Sequence, residues 1–290
     1  MIEVTDMIEI KNLTKHYKNF TLDEVSMEIP SGRITGFIGA NGAGKSTTFK
    51  AILGLIKTDG GEILINGKNI KDFSEKDKAQ IGCVMTDSFF SDTLRIKDIA
   101  KIMKAMFKSF DEEYFSDKCE AFKLPKDKRI RDFSGGMKAK IKVITALSYD
   151  SKVLILDEPT VGLDVVVREE VLDLIREYVG NNEERSVIIS SHISSDIEKL
   201  CDDIYMIHDG KIVFHDDTDK LLFEYAAVKV DEAEFEKLDK KYIRSFRKEK
   251  YGYECLTWQK DYYMENYPSV VVEKMSIDEM MMILIKGEKI

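Results

Sequence analysis

The N-terminal part of the chain alternates between apolar and polar positions. Apolar side chains occur at Ile8 and Ile10 and recur between Leu22 and Ile29. Because side chains on a strand point alternately to its two faces, this spacing predicts strands with one buried face. Pro30-Ser31-Gly32 supplies a turn, so we expect a small antiparallel sheet here.

The pattern changes its period in the middle of the chain. From about residue 90 to residue 146, apolar residues return every three or four positions, as in Ile96, Ile99 and Met103, which predicts helices. Two runs that are apolar throughout follow at 153–156 and 187–189. Such runs are typical of parallel strands covered on both faces, and the helical stretch between them predicts a βαβ unit in an α/β core.

The composition shifts after about residue 220. Residues 231–250 are rich in charges of both signs, and aromatic residues cluster between Tyr251 and Tyr267. Ser276 to Ile285 has the pattern of a Met-rich amphipathic helix. We therefore predict a domain over 1–220, which includes a helical subdomain at about 90–146, and a C-terminal α+β extension over 221–290.

Composition and charge narrow the classes of function. The 290 residues are 43% hydrophobic, and the longest apolar runs are far shorter than a membrane span requires. With a net charge of −9 and a pI near 5.2, no broad basic surface and no nucleic-acid partner are expected. The four cysteines lack the spacing of a zinc or redox site. Since the N-terminus lacks a signal-peptide core, we expect a cytoplasmic location.

A complete phosphate-binding loop is the clearest chemical signal. Residues 39–46 match G-x-x-x-x-G-K-[ST] without a mismatch, between an apolar strand and a helix-forming stretch. Glycines let the backbone wrap around an anion, and the amides of the following helix point at it. Lys45 then bridges the β- and γ-phosphates, and the Ser46 hydroxyl holds Mg²⁺. The predicted nucleotide-binding residues of this segment are Gly39, Asn41, Gly42, Gly44, Lys45, Ser46 and Thr47.

Two further segments place polar groups where phosphate chemistry needs them. Asp157-Glu158 follows the apolar run 153–156. A carboxylate at such a strand end can hold Mg²⁺ through water, and its neighbour can activate the attacking water; a surface turn is the alternative interpretation. Ser134-Gly135-Gly136 opens a helix whose N-terminal amides make a second anion site. A plain N-capped helix is the alternative for that segment.

Together these motifs resemble the ATP-binding cassette (ABC) ATPases. The order of that family is found over roughly residues 7–217: the phosphate loop, the signature Ser134-Gly135-Gly136, Asp157-Glu158, Gly162-Leu163-Asp164 and Ser191-His192. The resemblance implies a P-loop NTPase fold, with an ABC-type antiparallel β subdomain, a parallel-sheet core and a helical subdomain. It also implies that ATP and Mg²⁺ are the ligands.

The resemblance assigns roles to single residues. In this family two cassettes pair head to tail, and the signature at 134–136 binds the γ-phosphate of the partner's ATP. Asp157 would support Mg²⁺, Glu158 would be the general base, and His192 would contact the γ-phosphate and hold the water in line. Asp164 lies in the loop that crosses the dimer interface.

Two positions match the family less closely: the one that stacks on adenine and the one that usually holds a glutamine. Tyr17 stands at the place of the adenine-stacking aromatic residue, with packing against the small sheet as the alternative. Where the family usually has a glutamine that binds Mg²⁺, this chain has Thr86 followed by Asp87. A carboxylate is a good ligand for Mg²⁺, so Asp87 is a candidate substitute. The signature also begins with Phe133 and ends in Met137, where the family has leucine and glutamine.

The resemblance predicts the ATP-hydrolysing subunit of a membrane transporter, of a bacterial exporter type. A separate transmembrane permease and a second cassette are the expected partners, at the inner face of the cell membrane. The segment from Phe89 to Phe107 is the expected docking surface for the permease, with subdomain core as the alternative. Two other hypotheses stay open: an ABC ATPase outside transport, such as one for iron–sulfur assembly, and a nucleotide-binding scaffold without turnover.

Overall fold

Three β-sheets organise the protein, in a computed structural model that describes residues 6–86 and 90–290. The strands are β1 (Asp6–Tyr17), β2 (Phe20–Pro30), β3 (Ile34–Ile38), β4 (Gly60–Ile65), β5 (Lys68–Asn69), β6 (Ile81–Val84), β7 (Val153–Asp157), β8 (Ser186–Ser191), β9 (Asp203–His208), β10 (Lys211–Asp217), β11 (Ala226–Val230), β12 (Ile243–Glu249), β13 (Gly252–Thr257), β14 (Val271–Glu273) and β15 (Glu288–Lys289). The helices are α1 (Lys45–Ile52), α2 (Glu75–Lys78), α3 (Ile96–Met106), α4 (Glu112–Ala121), α5 (Gly135–Leu147), α6 (Val165–Gly180), α7 (Ser194–Leu200), α8 (Thr218–Phe223), α9 (Glu232–Lys237), α10 (Lys260–Asn266) and α11 (Ile277–Lys286).

The first sheet is antiparallel and has the order β2-β1-β4-β5. Ile8 pairs with Ile29 and Ile10 pairs with Met27, and all four side chains are buried. The alternation in the sequence therefore reflects one face packed on the core and the other facing solvent.

The second sheet is the central one, with the order β10-β9-β3-β8-β7-β6. All its neighbours pair in parallel except β10 with β9. Every residue of β3, β7 and β8 is buried, as expected for strands covered on both faces. The predicted α/β fold class is confirmed. Because β3, β7 and β8 are parallel neighbours, their carboxyl ends meet at one edge of the sheet.

Helices α3, α4 and α5 lie between β6 and β7 in the chain. Their inward-facing side chains are buried in the same hydrophobic cluster as the central strands, as for Ile99, Phe115 and Ile144. The helical periodicity of the sequence therefore marks the buried side of each helix.

The residues after 220 form a third, antiparallel sheet with the order β14-β11-β13-β12-β15. Helix α11 packs between this sheet and the central domain, where it contacts α7 and β10. Ile277, Met280 and Ile283 of α11 are buried in the same hydrophobic cluster as β7 and β8. The extension thus shares a core with the central domain.

Candidate active site

The phosphate loop joins the end of β3 to the start of α1. Gly39 passes so close to β9 that a Cβ atom there would lie 2.3 Å from the carbonyl oxygen of Ile207. Gly44 has a φ of 122°, in the region that favours glycine, and directly precedes α1. Gly39 is therefore required because a side chain would not fit, and Gly44 because of its backbone conformation.

Lys45 is held beneath this loop. Its side chain is 6% exposed, and Nζ donates to the carbonyl oxygen of Gly39 at 2.7 Å. The same Nζ lies 3.5 Å from Oε1 of Glu158. Because water screens a buried charge less than an exposed one, the ammonium group of Lys45 can attract an anionic ligand at this loop.

The two acidic residues lie at the carboxyl end of β7. Asp157 is 2% exposed and accepts hydrogen bonds from Ser190 Oγ at 2.7 Å and from Thr86 Oγ1 at 3.3 Å. Glu158 has a φ of 53°, and its N–H donates to Ser190 Oγ at 3.0 Å. Ser190 of the neighbouring strand β8 thus holds the carboxylate of Asp157 and the backbone of Glu158.

His192 follows β8 directly and faces Glu158. Its Nδ1 lies 2.5 Å from Glu158 Oε2, while half of the imidazole side chain is exposed to solvent. Glu158 therefore contacts His192 through one oxygen and Lys45 through the other. A histidine and a cation thus meet at one carboxylate, which is an arrangement suited to a base that activates a water.

These groups surround one cavity of about 530 Å³. The predicted site residues that line it are Asn41, Gly42, Gly44, Lys45, Ser46, Thr47, Asp157, Glu158 and His192. The hydroxyl of Ser46 and the carboxylate of Asp157 are hard oxygen donors of the kind Mg²⁺ takes together with substrate phosphates. Among the described residues, no cluster of three or more acidic, His or Cys side chains could hold a metal alone.

The signature and the loop with Asp164 lie outside this cavity lining. Ser134 caps α5, and its Oγ accepts from the N–H of Met137 at 3.2 Å. Asp164 caps α6 by accepting from the N–H groups of Val166 and Val167. Gly135 is exposed, and a Cβ atom on Gly136 would lie 3.0 Å from Val167. Both segments have the cap geometry of helix starts.

One aromatic residue of the cavity lining was not predicted from the sequence. Phe20 lines the cavity, whereas Tyr17 is outside its lining and 46% exposed. The two residues pair across the turn between β1 and β2, with ring centroids 6.4 Å apart. The two-residue turn between the strands is the signal that would have placed Phe20 beside Tyr17.

Thr86 is the described residue at the place of the missing glutamine. Its hydroxyl donates to the carbonyl oxygen of Asp157 at 3.1 Å as well as to the carboxylate, and it lines the cavity. Met85 also lines the cavity and was not predicted. Asp87 and Phe89 lie outside the residues that the structure describes.

Comparison with known proteins places this site in a family. A family model described as ABC transporter matches residues 22–161. The ABC transporter ATP-binding protein YtrB of Bacillus subtilis (strain 168) is 32% identical over 225 residues, which cover 77% of this chain and 76% of YtrB. The chain belongs to the ABC transporter family.

Further relatives agree with this assignment. The lantibiotic transport ATP-binding protein SrtF of Streptococcus pyogenes is 35% identical over 216 residues, 73% of this chain and 92% of SrtF. A solved ATP-binding subunit of an ABC transporter superposes with a TM-score of 0.66 at 26% identity, over 74% of this chain and 91% of that one. The predictions of an ABC fold, an ATP-binding transporter subunit and an ATPase are confirmed.

In the part of the chain that the structure describes, no helix combines the length and the apolar character needed to cross a membrane.

Proposed function

We propose that this ABC ATPase uses Glu158, His192 and Lys45 to hydrolyse ATP, and that the hydrolysis drives export through a separate permease. The proposal rests on one observation: the carboxylate of Glu158 contacts both His192 and Lys45 in the cavity. The phosphate loop and Lys45 would hold the β- and γ-phosphates, where Lys45 offsets their charge.

The same carboxylate would act as the general base. Glu158 would accept the proton of a water that attacks the γ-phosphorus, while His192 orients this water and the γ-phosphate. The bond from the γ-phosphorus to the β–γ bridging oxygen would break, and ADP would leave with that oxygen. Ser46 and Asp157 would hold Mg²⁺, which neutralises phosphate charge when it is bound. Phe20 in the cavity lining, or Tyr17 as the family resemblance implies, would face the adenine.

A second cassette would complete the site. Ser134 and Gly135 lie outside the cavity lining of their own chain, and Gly135 is exposed. Head-to-tail pairing would bring the signature of one chain, at the start of α5, to the γ-phosphate in the other, together with the loop that carries Asp164. The amides at the start of that helix suit an anion.

An apolar groove supports docking of a permease. A cavity of about 300 Å³ lies between β6 and the helical segment, and its lining includes Phe90, Met103, Phe107 and Tyr149. Burial raises the pKa of the Tyr149 hydroxyl, so this lining residue stays neutral. A short apolar helix or loop on the permease would fill such a groove. The subunit would then lie on the inner face of the cell membrane, and a role in transport is favoured by the likeness to SrtF, a lantibiotic transport ATP-binding protein.

A pull-down from native membranes tests the transport part of this proposal. The Glu158→Gln chain is solubilised gently with ATP and Mg²⁺, because blocked hydrolysis should hold the complex together. We expect a multi-span membrane protein to co-purify with it, whereas Glu158→Gln combined with Phe107→Asp should lose this partner. Recovery of iron–sulfur assembly proteins alone would contradict the transporter role and leave the ATPase assignment intact.

A further inference from the structure

Helix α7 lies beside the two loops that carry Glu158 and His192. It begins at Ser194, two residues after His192, and Ser191 Oγ accepts from the N–H of Ile193 at 3.0 Å in the intervening turn. Asp196 in its first turn is 2% exposed and accepts from Thr160 Oγ1 at 2.8 Å. Thr160 lies two residues after Glu158. A shift of α7 would therefore move the loops of both catalytic residues.

The start of α7 is anchored by the C-terminal extension. Ser194 Oγ donates to Asp278 Oδ2 on α11 at 2.8 Å, across 84 residues of chain. The N–H of Ile277 lies 3.5 Å from Glu198 Oε1, also on α7. Among the described residues, no side chain caps α7 within its own segment. The start of α7 is therefore held by the bond to Asp278 and not by a side chain of its own segment.

The extension also reaches the phosphate loop. A cavity of about 180 Å³ is lined by Gly39, Asn41 and His192 on one side and by Asp278 and Met281 of α11 on the other. Since α11 is anchored by buried Ile277, Met280 and Ile283, this wall is held by packing as well as by hydrogen bonds.

We propose that Asp278 is a positioning residue for His192, and that the C-terminal extension sets the rate of ATP hydrolysis through α11 and α7. The inference rests on the proposed function, because it requires His192 and Glu158 to act in hydrolysis. Small misplacement of a catalytic group lowers turnover strongly even when substrate binding is unchanged. Loss of the Ser194–Asp278 bond should therefore lower kcat and leave the KM for ATP unchanged.

The test compares steady-state ATP hydrolysis by full-length variants. Ser194→Ala and Asp278→Ala should each lower kcat by about 3- to 10-fold at constant KM, since both remove the same hydrogen bond. The double variant should be no slower than either single variant, because the two residues act as one unit. Asp278→Asn keeps an oxygen acceptor for Ser194 and should recover most of the rate. Asp261→Ala, at an exposed position on α10, is the matched control.

Thermal denaturation and the Glu158→Gln variant complete the design. Ser194→Ala removes one half-buried hydroxyl and should keep the melting temperature of the parent, so a fall in kcat cannot be ascribed to unfolding. If the parent hydrolyses ATP but Ser194→Ala and Asp278→Ala match Asp261→Ala, or if their losses add in the double variant, the positioning role is wrong. If the parent is no faster than Glu158→Gln, the proposed function itself fails.

Discussion

Glu158 has a backbone conformation that residues with a side chain rarely adopt. Its φ of 53° costs on the order of 1–3 kcal/mol. The N–H of Glu158 donates to the carbonyl oxygen of Ser190 at 3.2 Å and to Ser190 Oγ at 3.0 Å, and these bonds hold the conformation. The conformation turns the carboxylate between Lys45 and His192, so the strain serves the geometry of the site.

Phe20 provides a test at the level of a single contact. We expect Phe20→Ala to weaken ATP binding by about 1 kcal/mol or more, roughly 5-fold in Kd, because an aromatic face on a purine contributes about that much. Calorimetric titration of the Glu158→Gln chain with ATP measures it. Tyr17→Ala in the same assay separates the two rings, and Tyr251→Ala, at an 83% exposed residue, is the control. A Kd equal to that of the control would exclude Phe20 from the nucleotide site.

Gly39 tests the close approach of the phosphate loop to β9. An added Cβ would lie 2.3 Å from a backbone oxygen, so Gly39→Ala should lower the free energy of unfolding by about 1–3 kcal/mol and also weaken ATP binding. At Gly180, the last residue of α6, nothing lies within 4 Å of such a Cβ. Gly180→Ala should therefore be neutral or slightly stabilising in urea denaturation. Equal losses at the two positions would argue against the packing described for Gly39.

The central elements follow from the sequence because their periodicity is strong. The runs 153–156 and 187–189 lie within the buried strands β7 and β8, and the helix between them runs from Val165 to Gly180. The motifs at strand ends then converge, since parallel strands share one edge. The position of Phe20 depends on a hairpin turn, and the contact of Asp278 with Ser194 joins residues 84 apart. The two-residue turn is a local signal for Phe20, whereas spacing along the chain carries no signal for the contact between Asp278 and Ser194.

Helix α7 can be tested through its buried carboxylate. Asp196→Ala leaves the Thr160 hydroxyl without its partner and removes the acid 3.7 Å from Arg168. We expect it to reduce the free energy of unfolding by about 2–4 kcal/mol in urea denaturation. Asp219→Ala, at an exposed acid in the first turn of α8, should change stability little. A loss at Asp196 no larger than at Asp219 would contradict the role of Asp196 as an anchor.

The whole molecule is two sheets of a cassette with a third sheet attached through a shared core. Leu256 of β13 and Ile283 of α11 lie in the same hydrophobic cluster as Leu154 of β7. Such continuity predicts that the extension and the cassette unfold together. The predicted boundary near residue 220 would then separate two sheets without separating two independent folding units.

A substitution at Ile283 tests whether the extension and the cassette unfold together. It is fully buried, so Ile283→Ala should cost about 2–5 kcal/mol and lower one common unfolding transition. Met264, at 57% exposure in α10, gives the matched control Met264→Ala. A shared core would be contradicted if calorimetry resolved two unfolding transitions and Ile283→Ala left the midpoint temperature of the larger one unchanged.

The measurement closest to the central claim is the rate of ATP hydrolysis by the full chain and by Glu158→Gln, with ATP binding measured in parallel. Glu183→Gln, at an exposed glutamate, is the control. Loss of the general base should reduce kcat by about 10²- to 10³-fold while ATP still binds, and the control should match the parent. Equal turnover by the parent and by Glu158→Gln would contradict the assignment of Glu158 as the base.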